Sequence, residues 1–375
     1  MAGSDKQEAM PASPAPPPAP VPFGVPVPWF RAKAIGGRDV YTFDTTAGRH
    51  ILMLFLGSAA LPEAQGALAV AAANRDLFDD EAACFFGVTV DPADAAQRRV
   101  TQSLPGIRFF LDEDQAVSRL YGAVAEGGQY RPHWLLIDPA LRALGPFPIG
   151  AGEAAVAALR RALSAAAPEQ WAPVLLAPNI LEPQLCARLI DYYKAEGGSE
   201  SGFMREVAGK TVLVTDPAHK LRRDCTIEDE ALRVRLQAAV KARLLPMVKR
   251  AFQFEATRME RYLIGCYDSG TGGHFRPHRD NTTKGTAHRR FAVSINLNAE
   301  DHEGGDLRFP EYGPRTYRPP TGGAVVFSCS LLHEATPMVS GTRYAFLPFL
   351  YDEEAARQRE ANTAFVEGEL ASYRA

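Results

Sequence analysis

Cysteine is scarce and unpaired in this chain of 375 residues: Cys84, Cys186, Cys225, Cys266 and Cys329 form no CxxC, and their number is odd. That excludes a disulfide-stapled scaffold and a dithiol redox motif, and reads the five as reduced core thiols in a reducing compartment. Long hydrophobic runs are missing as well. The longest, Ile51 to Leu56, falls far short of the roughly 20 apolar residues that a membrane helix needs. The polar stretch Met1 to Met10 lacks the apolar centre of a signal peptide, so a cytoplasmic protein with no membrane partner is expected. Neither sign of charge dominates: 41 Lys and Arg against 44 Asp and Glu leave -3, which gives no bulk attraction for nucleic acid or anionic lipid. No internal repeat of solenoid or propeller length is present.

What is there suits two domains, because single cores stop growing below this length. A Pro- and Ala-rich stretch that favours extended conformations and offers little to pack gives a disordered tail over residues 1–22. From His50 the pattern alternates. Ile51 to Leu56 reads as a buried strand, Leu61 to Phe78 as an Ala-rich helix and Phe85 to Val90 as a second strand, a βαβ unit. A helix over Ala93 to Gln102, strand Ile107 to Leu111, helix Gln115 to Tyr121, strand His133 to Ile137 and helix Glu153 to Leu163 complete an α/β domain over residues 23–166. Residues 167–173 form a linker containing Pro168 and Pro173.

Element order and the phrases "CFFGVTVDP" and "YRPHWLLIDP" make residues 23–166 resemble the peroxiredoxin group of the thioredoxin superfamily, which implies a thioredoxin-like fold. The segment where that group carries its reactive cysteine reads "FLGSAALPEAQGAL" here and holds no thiol, and thiol chemistry needs a thiolate. Cys84 lies inside a core strand and reads as packing.

The second half differs in character. An amphipathic helix starts at Pro183 and ends at Gly197-Gly198; Thr226, with Asp229 three residues on, can cap a longer one with the stripe Leu232, Leu236, Val240 and Leu244, kinked or interrupted at Pro246. Short strands then follow at Met259 to Tyr267, Phe291 to Leu297, Gly305 to Phe309, Ala324 to Cys329 and Arg343 to Leu350, the mark of an α+β sandwich or jelly roll over residues 174–353. Residues 354–375 read as a charged helical tail, loosely attached.

Chemistry concentrates in "YDSGTGGHFRPHRDN". On a strand, His278 and Asp280 would point to one face. In "VVFSCSLLHEATP", His333 follows a buried strand and would inherit the inward face of Val325, Phe327 and Cys329. Two imidazoles and one carboxylate on one side of an octahedron mark non-haem Fe(II) oxygenases, whereas structural zinc usually takes four protein ligands, often cysteines. Ten residues beyond His333, Arg343 opens the strand "RYAFLPFLY". A lone guanidinium among apolar neighbours requires an anion, and the distal carboxylate of 2-oxoglutarate suits its planar fork.

The phrases "CYDSGTGGHFRPHRDN", "FAVSINLN", "GGDLRFPEYG", "GGAVVFSCSLLHEATPM" and "GTRYAFLPFLYD" occur in the order found in the prolyl 4-hydroxylase branch of the Fe(II)/2-oxoglutarate oxygenases, which residues 174–352 resemble. The resemblance implies a double-stranded β-helix. It implies His278, Asp280 and His333 as iron ligands and catalytic residues, with Arg343 and Tyr267 contacting 2-oxoglutarate. It further implies O2 as cosubstrate, ascorbate as a compatible reductant, and hydroxylation of a C–H bond with release of succinate and CO2. The substrate is either a peptidyl proline or a small molecule, since one fold serves both. Asp280 argues against a halogenase, which omits that carboxylate.

Other polar residues have plainer readings. His274 reads as a loop or pocket residue because Gly272, Gly273 and Pro277 disfavour a helix. His288 and His302 read as solvated, and His133 has no evident partner. Arg276, Arg279, Arg289 and Arg290 form either an electropositive mouth or the solvent face of a sheet. Gly304-Gly305 and Gly322-Gly323 read as tight turns. Two further expectations attach to the whole chain: a redoxin-type thiol peroxidase with a regulatory second domain is the alternative function, and the first domain could dock a protein substrate. A homo-oligomer is compatible with the sequence.

Overall fold

The computed structural model describes residues 20–35, 40–165 and 170–367. Most of the expected Pro/Ala tail, the boundary at residue 166, part of the linker and the end of the C-terminal tail lie outside the described residues. The chain divides into two compact units, Met1–Pro168 and Glu169–Ala375.

The first unit is built on a seven-stranded mixed sheet. Its central strand His50–Gly57 pairs in parallel with Ala83–Thr89, which pairs in parallel with Ile107–Leu111. On its other side lie His133–Ile137 and then Ala143–Pro148, both antiparallel. The strand Ala143–Pro148 was not legible in "ALGPFP". Two prolines cannot donate to a ladder, and the strand survives because it lies at the sheet edge. Helices Pro62–Ala73 and Gly152–Ser164 cover one face through Ala67, Ala71, Val156 and Leu159 against Leu52, Leu54 and Trp134. The helix expected over Ala93 to Gln102 stops at Ala96. Arg98 turns left-handed at φ +54, and Arg99 N–H returns to the Asp94 carbonyl at 2.8 Å.

The second unit carries two large antiparallel sheets, of nine and five strands, and two two-stranded ones. From residue 263 on, strands cross between the two large sheets: Leu263–Asp268, Phe291–Asn296, Ala324–Ser328 and Thr342–Phe346 lie in the larger sheet. His274–His278, Leu307–Arg308 and His333–Ala335 lie in the smaller one. This alternation is the double-stranded β-helix. Two expected strands are split by backbone chemistry. Arg261, at φ +66, separates Arg258–Glu260 from Leu263–Asp268, and Pro348, which lacks an N–H, separates Thr342–Phe346 from Phe349–Tyr351.

Helix Pro183–Glu196 ends on Gly197 at φ +75, and Asp229 caps helix Glu230–Ala239 by accepting from Leu232 N–H at 3.0 Å. A π-turn over Val240–Leu244 then admits Pro246 into the first turn of Leu245–Phe252, where its missing N–H costs nothing. These helices bury Leu185, Leu189, Leu236 and Val240 on Ile264, Val293, Ile295 and Phe346 of the larger sheet. Because strand side chains alternate, Tyr267, Ser294, Asn296 and Arg343 are directed to the opposite, inner face. The hairpin Phe203–Val207 and Lys210–Val214 was not anticipated from the sequence. The tail is better attached than expected: Asp352 caps helix Glu353–Asn362, and Glu367 N–H donates to the Thr211 carbonyl at 3.1 Å. Among the described residues no helix is long and apolar enough to cross a membrane.

Trp134 is fully buried, and its indole N–H donates to the Ile149 carbonyl at 2.9 Å. Trp134→Ala should destabilise the first unit by about 3–5 kcal/mol, read as a lowered denaturant midpoint in the tryptophan-independent far-UV signal.

Candidate active site

Strand His274–His278 pairs with His333–Ala335 in a register that sets His278 directly opposite His333. The two ring centroids are 4.2 Å apart. Cross-strand pairing therefore joins residues far apart in sequence. Each imidazole is oriented in the same way: Nδ1 of His278 meets the Arg276 carbonyl at 2.8 Å, and Nδ1 of His333 meets the Leu331 carbonyl at 3.0 Å. With the proton on Nδ1, both Nε2 lone pairs are free. They point at Asp280, with Nε2 of His278 3.6 Å from Oδ1 and Nε2 of His333 3.3 Å from Oδ2. All three ligand atoms lie within 4.8 Å of one another, and among the described residues this is the only such group of His, Cys, Asp or Glu. The Arg276 and Leu331 carbonyls, by holding the Nδ1 protons, fix the tautomer that a metal requires.

The route to this convergence differs from the sequence expectation at two points. His278 and Asp280 do not share a strand face, because the strand ends at His278 and Asp280 sits in the following turn, its N–H donating to the Cys329 carbonyl at 3.0 Å. Nor does His333 inherit the face of Val325 and Phe327: a turn closed by Leu331 N–H to the Ser328 carbonyl carries the chain into the other sheet. The residue that ties the two turns together is Arg279, read above as part of a mouth or a solvent face. It is buried, donates to the Ser330 carbonyl, and pairs with Glu311 at 2.8 Å. Glu311 in turn accepts from Leu332 N–H at 2.9 Å.

Burial pushes the His278 imidazole down to about 4, helped by His333 and opposed by Asp280, so the ring is neutral near pH 7. Burial alone would raise the Asp280 carboxyl, yet the neighbouring His333 and His278 hold it well below the usual range. Two neutral imidazoles and a carboxylate are the donor set of the Fe(II) facial triad. Phe275 stacks on His278 with centroids 3.5 Å apart, and Phe327 lies 4.6 Å from His333, so one side of the group is apolar.

Arg343 faces the same cavity, of about 440 Å³, as the triad. It is 4% exposed, donates to Ser294 Oγ at 2.8 Å and Asn296 Oδ1 at 3.2 Å, and sits over the Tyr267 ring at 5.3 Å. No carboxylate of the described residues pairs with it. Burial lowers its pKa, as expected of a cation that lacks a counter-ion. Tyr267 is buried, and its hydroxyl accepts from Arg222 at 3.4 Å.

The sequence reading missed a second polar group on the wall. Arg222 pairs with Asp224 through Nε at 2.6 Å and Nη2 at 2.7 Å, while Lys220 donates to Ser201 Oγ and the Gly202 carbonyl, both at 2.6 Å. Burial and then Arg222 push the Lys220 ammonium well below its ordinary value. The alternation in "KLRRD" was the only available signal. His288 and His302 are corrections, being buried at 2% and 5% rather than solvated. His288 Nε2 meets Glu260 Oε2 at 3.0 Å, and His302 Nδ1 meets the Gly304 carbonyl at 3.1 Å. Arg289 is likewise buried against Glu260 at 2.8 Å. His274 contacts the Gly272 carbonyl and stays outside the cavity lining. In the first unit Cys84 is fully buried, which pushes its thiol up to about 12. All five cysteines are free and buried.

Residues 262–351 match the family model described as the 2OG-Fe(II) oxygenase superfamily. Similar curated proteins include a PKHD-type hydroxylase of Synechococcus sp. (strain JA-2-3B'a(2-13)), 29% identical over 89 residues. That match spans 22% of this chain and 39% of the relative. A PKHD-type hydroxylase of Pseudomonas fluorescens is 34% identical over 104 residues, 26% of this chain and 44% of the relative. The chain thus spans less than half the length of these relatives. Among solved structures, a prolyl hydroxylase of Trichoplax adhaerens in complex with a hypoxia inducible factor peptide fragment is 19% identical with a TM-score of 0.40, over 50% of this chain and 86% of that one.

Glu311 organises the two ligand turns without touching the ligands, so Glu311→Gln should weaken Co(II) or Fe(II) binding by roughly 10–100-fold, measured by anaerobic titration of the metal-free protein. A second outcome concerns acid. Burial would raise the carboxyls of Asp224 and Glu260, but Arg222 and Arg289 respectively hold both well below their unfolded values. Their stabilisation is present above about pH 4 and is lost as pH falls towards the folded values. Urea midpoints at pH 7, 5 and 3 should therefore be similar at the first two and clearly lower at the third.

Proposed function

We propose that this protein hydroxylates an unactivated C–H bond of a peptidyl proline or small-molecule substrate, consuming 2-oxoglutarate and O2 and releasing succinate and CO2. The observation that carries the reading is the convergence of two Nε2 atoms and the Asp280 carboxylate within 4.8 Å, in the cavity that also holds a buried Arg343 lacking a carboxylate partner. Fe(II) fits this donor set: three protein atoms, all on one side, with tautomers fixed by backbone carbonyls. His278, Asp280 and His333 would hold it, and when bound with 2-oxoglutarate it supplies the oxidising power that a side chain lacks.

The chain's own contribution is placement. Arg343 offers a charge-assisted fork to the distal carboxylate of 2-oxoglutarate, steadied by Ser294 and Asn296, and the Tyr267 hydroxyl, held by Arg222, presents a further polar contact. Phe275 and Phe327 keep water from one side of the metal group. The C-terminal tail adds Arg359, Thr363 and Val366 to the cavity lining.

For the first unit we infer a thioredoxin-like fold without thiol chemistry, supported by the strand order around His50–Gly57 and the two helices on one face. The loop after that strand is closed by carboxylates: Ser58 Oγ donates to Asp91 Oδ2 at 2.6 Å and Ala59 N–H to Asp94 Oδ2 at 2.8 Å. An inert Cys84 and this closed loop speak against the thiol peroxidase.

Purified protein given Fe(II), 2-oxoglutarate and O2 should form succinate slowly, and His278→Ala should abolish it; output unchanged by that substitution would sink the reading. Arg343→Ala removes charge-assisted bonds of about 1.5–3 kcal/mol each and should weaken 2-oxoglutarate binding roughly 10–100-fold, with metal affinity retained.

A further inference from the structure

The cavity carries more cation than 2-oxoglutarate explains. Apart from the triad and Arg343, its lining includes Arg222, Arg261 and Arg289. Against them stand only two inner carboxylates, Asp224 and Glu260; Glu200 lies at the exposed rim. Asp224 is taken bidentately by Arg222, and Glu260 is shared by Arg289 with His288 and Arg359. A cation surplus in a partly dehydrated cavity is costly until an anion joins it.

The surplus is localised. Arg261 and Arg289 both pack on the Phe349 ring, at 5.7 and 4.1 Å from its centroid. Arg289 commits only Nε to Glu260, at 2.8 Å, and Arg261 makes a single long contact to Asp224, at 3.4 Å. Burial, then Arg289 and Arg222, lower Arg261 to about 10 in spite of Asp224. Arg261 also sits at φ +66 at the break between two strands, where asparagine or glycine is the relaxed choice. Backbone strain and like-charge repulsion coincide at one cavity-lining position, as they do at ligand-binding sites.

We propose that Arg261 and Arg289, seated on Phe349, form an oxyanion subsite that receives a carboxylate or phosphate group of the substrate to be oxidised. Assigning that anion to a substrate rests on the oxygenase reading; the existence of the subsite does not. The planar forks suit bidentate oxyanion recognition, and the position in the cavity wall, separate from Arg343, leaves the 2-oxoglutarate anchor free. The substrate is therefore acidic, and a neutral peptidyl proline lacks the group this wall recognises.

The test is calorimetric titration of the full chain, loaded with Mn(II) and 2-oxoglutarate so that Arg343 is engaged, with inorganic phosphate and separately with acetate. Saturable binding of at least one probe is expected, the stronger one identifying the anion class. Arg261→Asn and Arg289→Gln should each raise its Kd at least tenfold. Arg261→Asn, which suits the left-handed backbone, should keep or raise the melting temperature. Binding of neither probe to the wild type, affinities unchanged in both variants, or a loss of melting temperature in Arg261→Asn that accounts for its weakened binding would overturn the proposal. Succinate formation by the wild type, measured on the same preparation, tests the oxygenase reading separately.

Discussion

One pairing register organises the second unit. Setting His278 opposite His333 across an antiparallel pair brings two imidazoles together, and the turn after His278 inserts Asp280 between their Nε2 atoms. A one-residue slip would send each ring to the other face and dissolve the group. The register is protected by the buried Arg279–Glu311 pair, which clamps the turn bearing Asp280 to the segment leading into His333. A buried ion pair is poor stabilisation in general, and its use here is to fix geometry.

The same sheet architecture explains the electrostatics of the cavity. Strand alternation sends Ile264, Val293, Ile295 and Phe346 to the helices and Tyr267, Ser294, Asn296 and Arg343 inward, so a dry core and a polar cavity share the same strands. The inner face accepts buried charge because most of it is matched: Arg222 by Asp224, Arg289 by Glu260, Arg279 by Glu311. Arg343 and Arg261 are the residues whose matching is incomplete, and each has a ligand-shaped explanation.

Much of this was legible in advance. The apolar stripes of the helices, the short strands, the helix end at Gly197, and the candidate ligand trio with Arg343 could all be read from local pattern and order, whereas the cap expected at Thr226 falls on Asp229 and Thr226 ends a strand. The errors share one cause. His288, Arg279 and Arg289 sit in polar stretches that look solvated, yet each is buried against a carboxylate from a distant segment, and His302 is buried with its ring on the nearby Gly304 carbonyl. Arg261 and Pro348 broke strands through backbone torsion and a missing N–H, which hydrophobic periodicity does not register.

The sequence by itself determined the chemical inventory: which side chains can ligate a metal, the absence of a thiol from the segment after His50–Gly57, and the alternation that faces Arg343 inward. Only the tertiary structure decided which of those groups meet. Metal geometry and charge matching depend on distances between strands from different parts of the chain, and such distances are set by register and turns, quantities that no local pattern encodes.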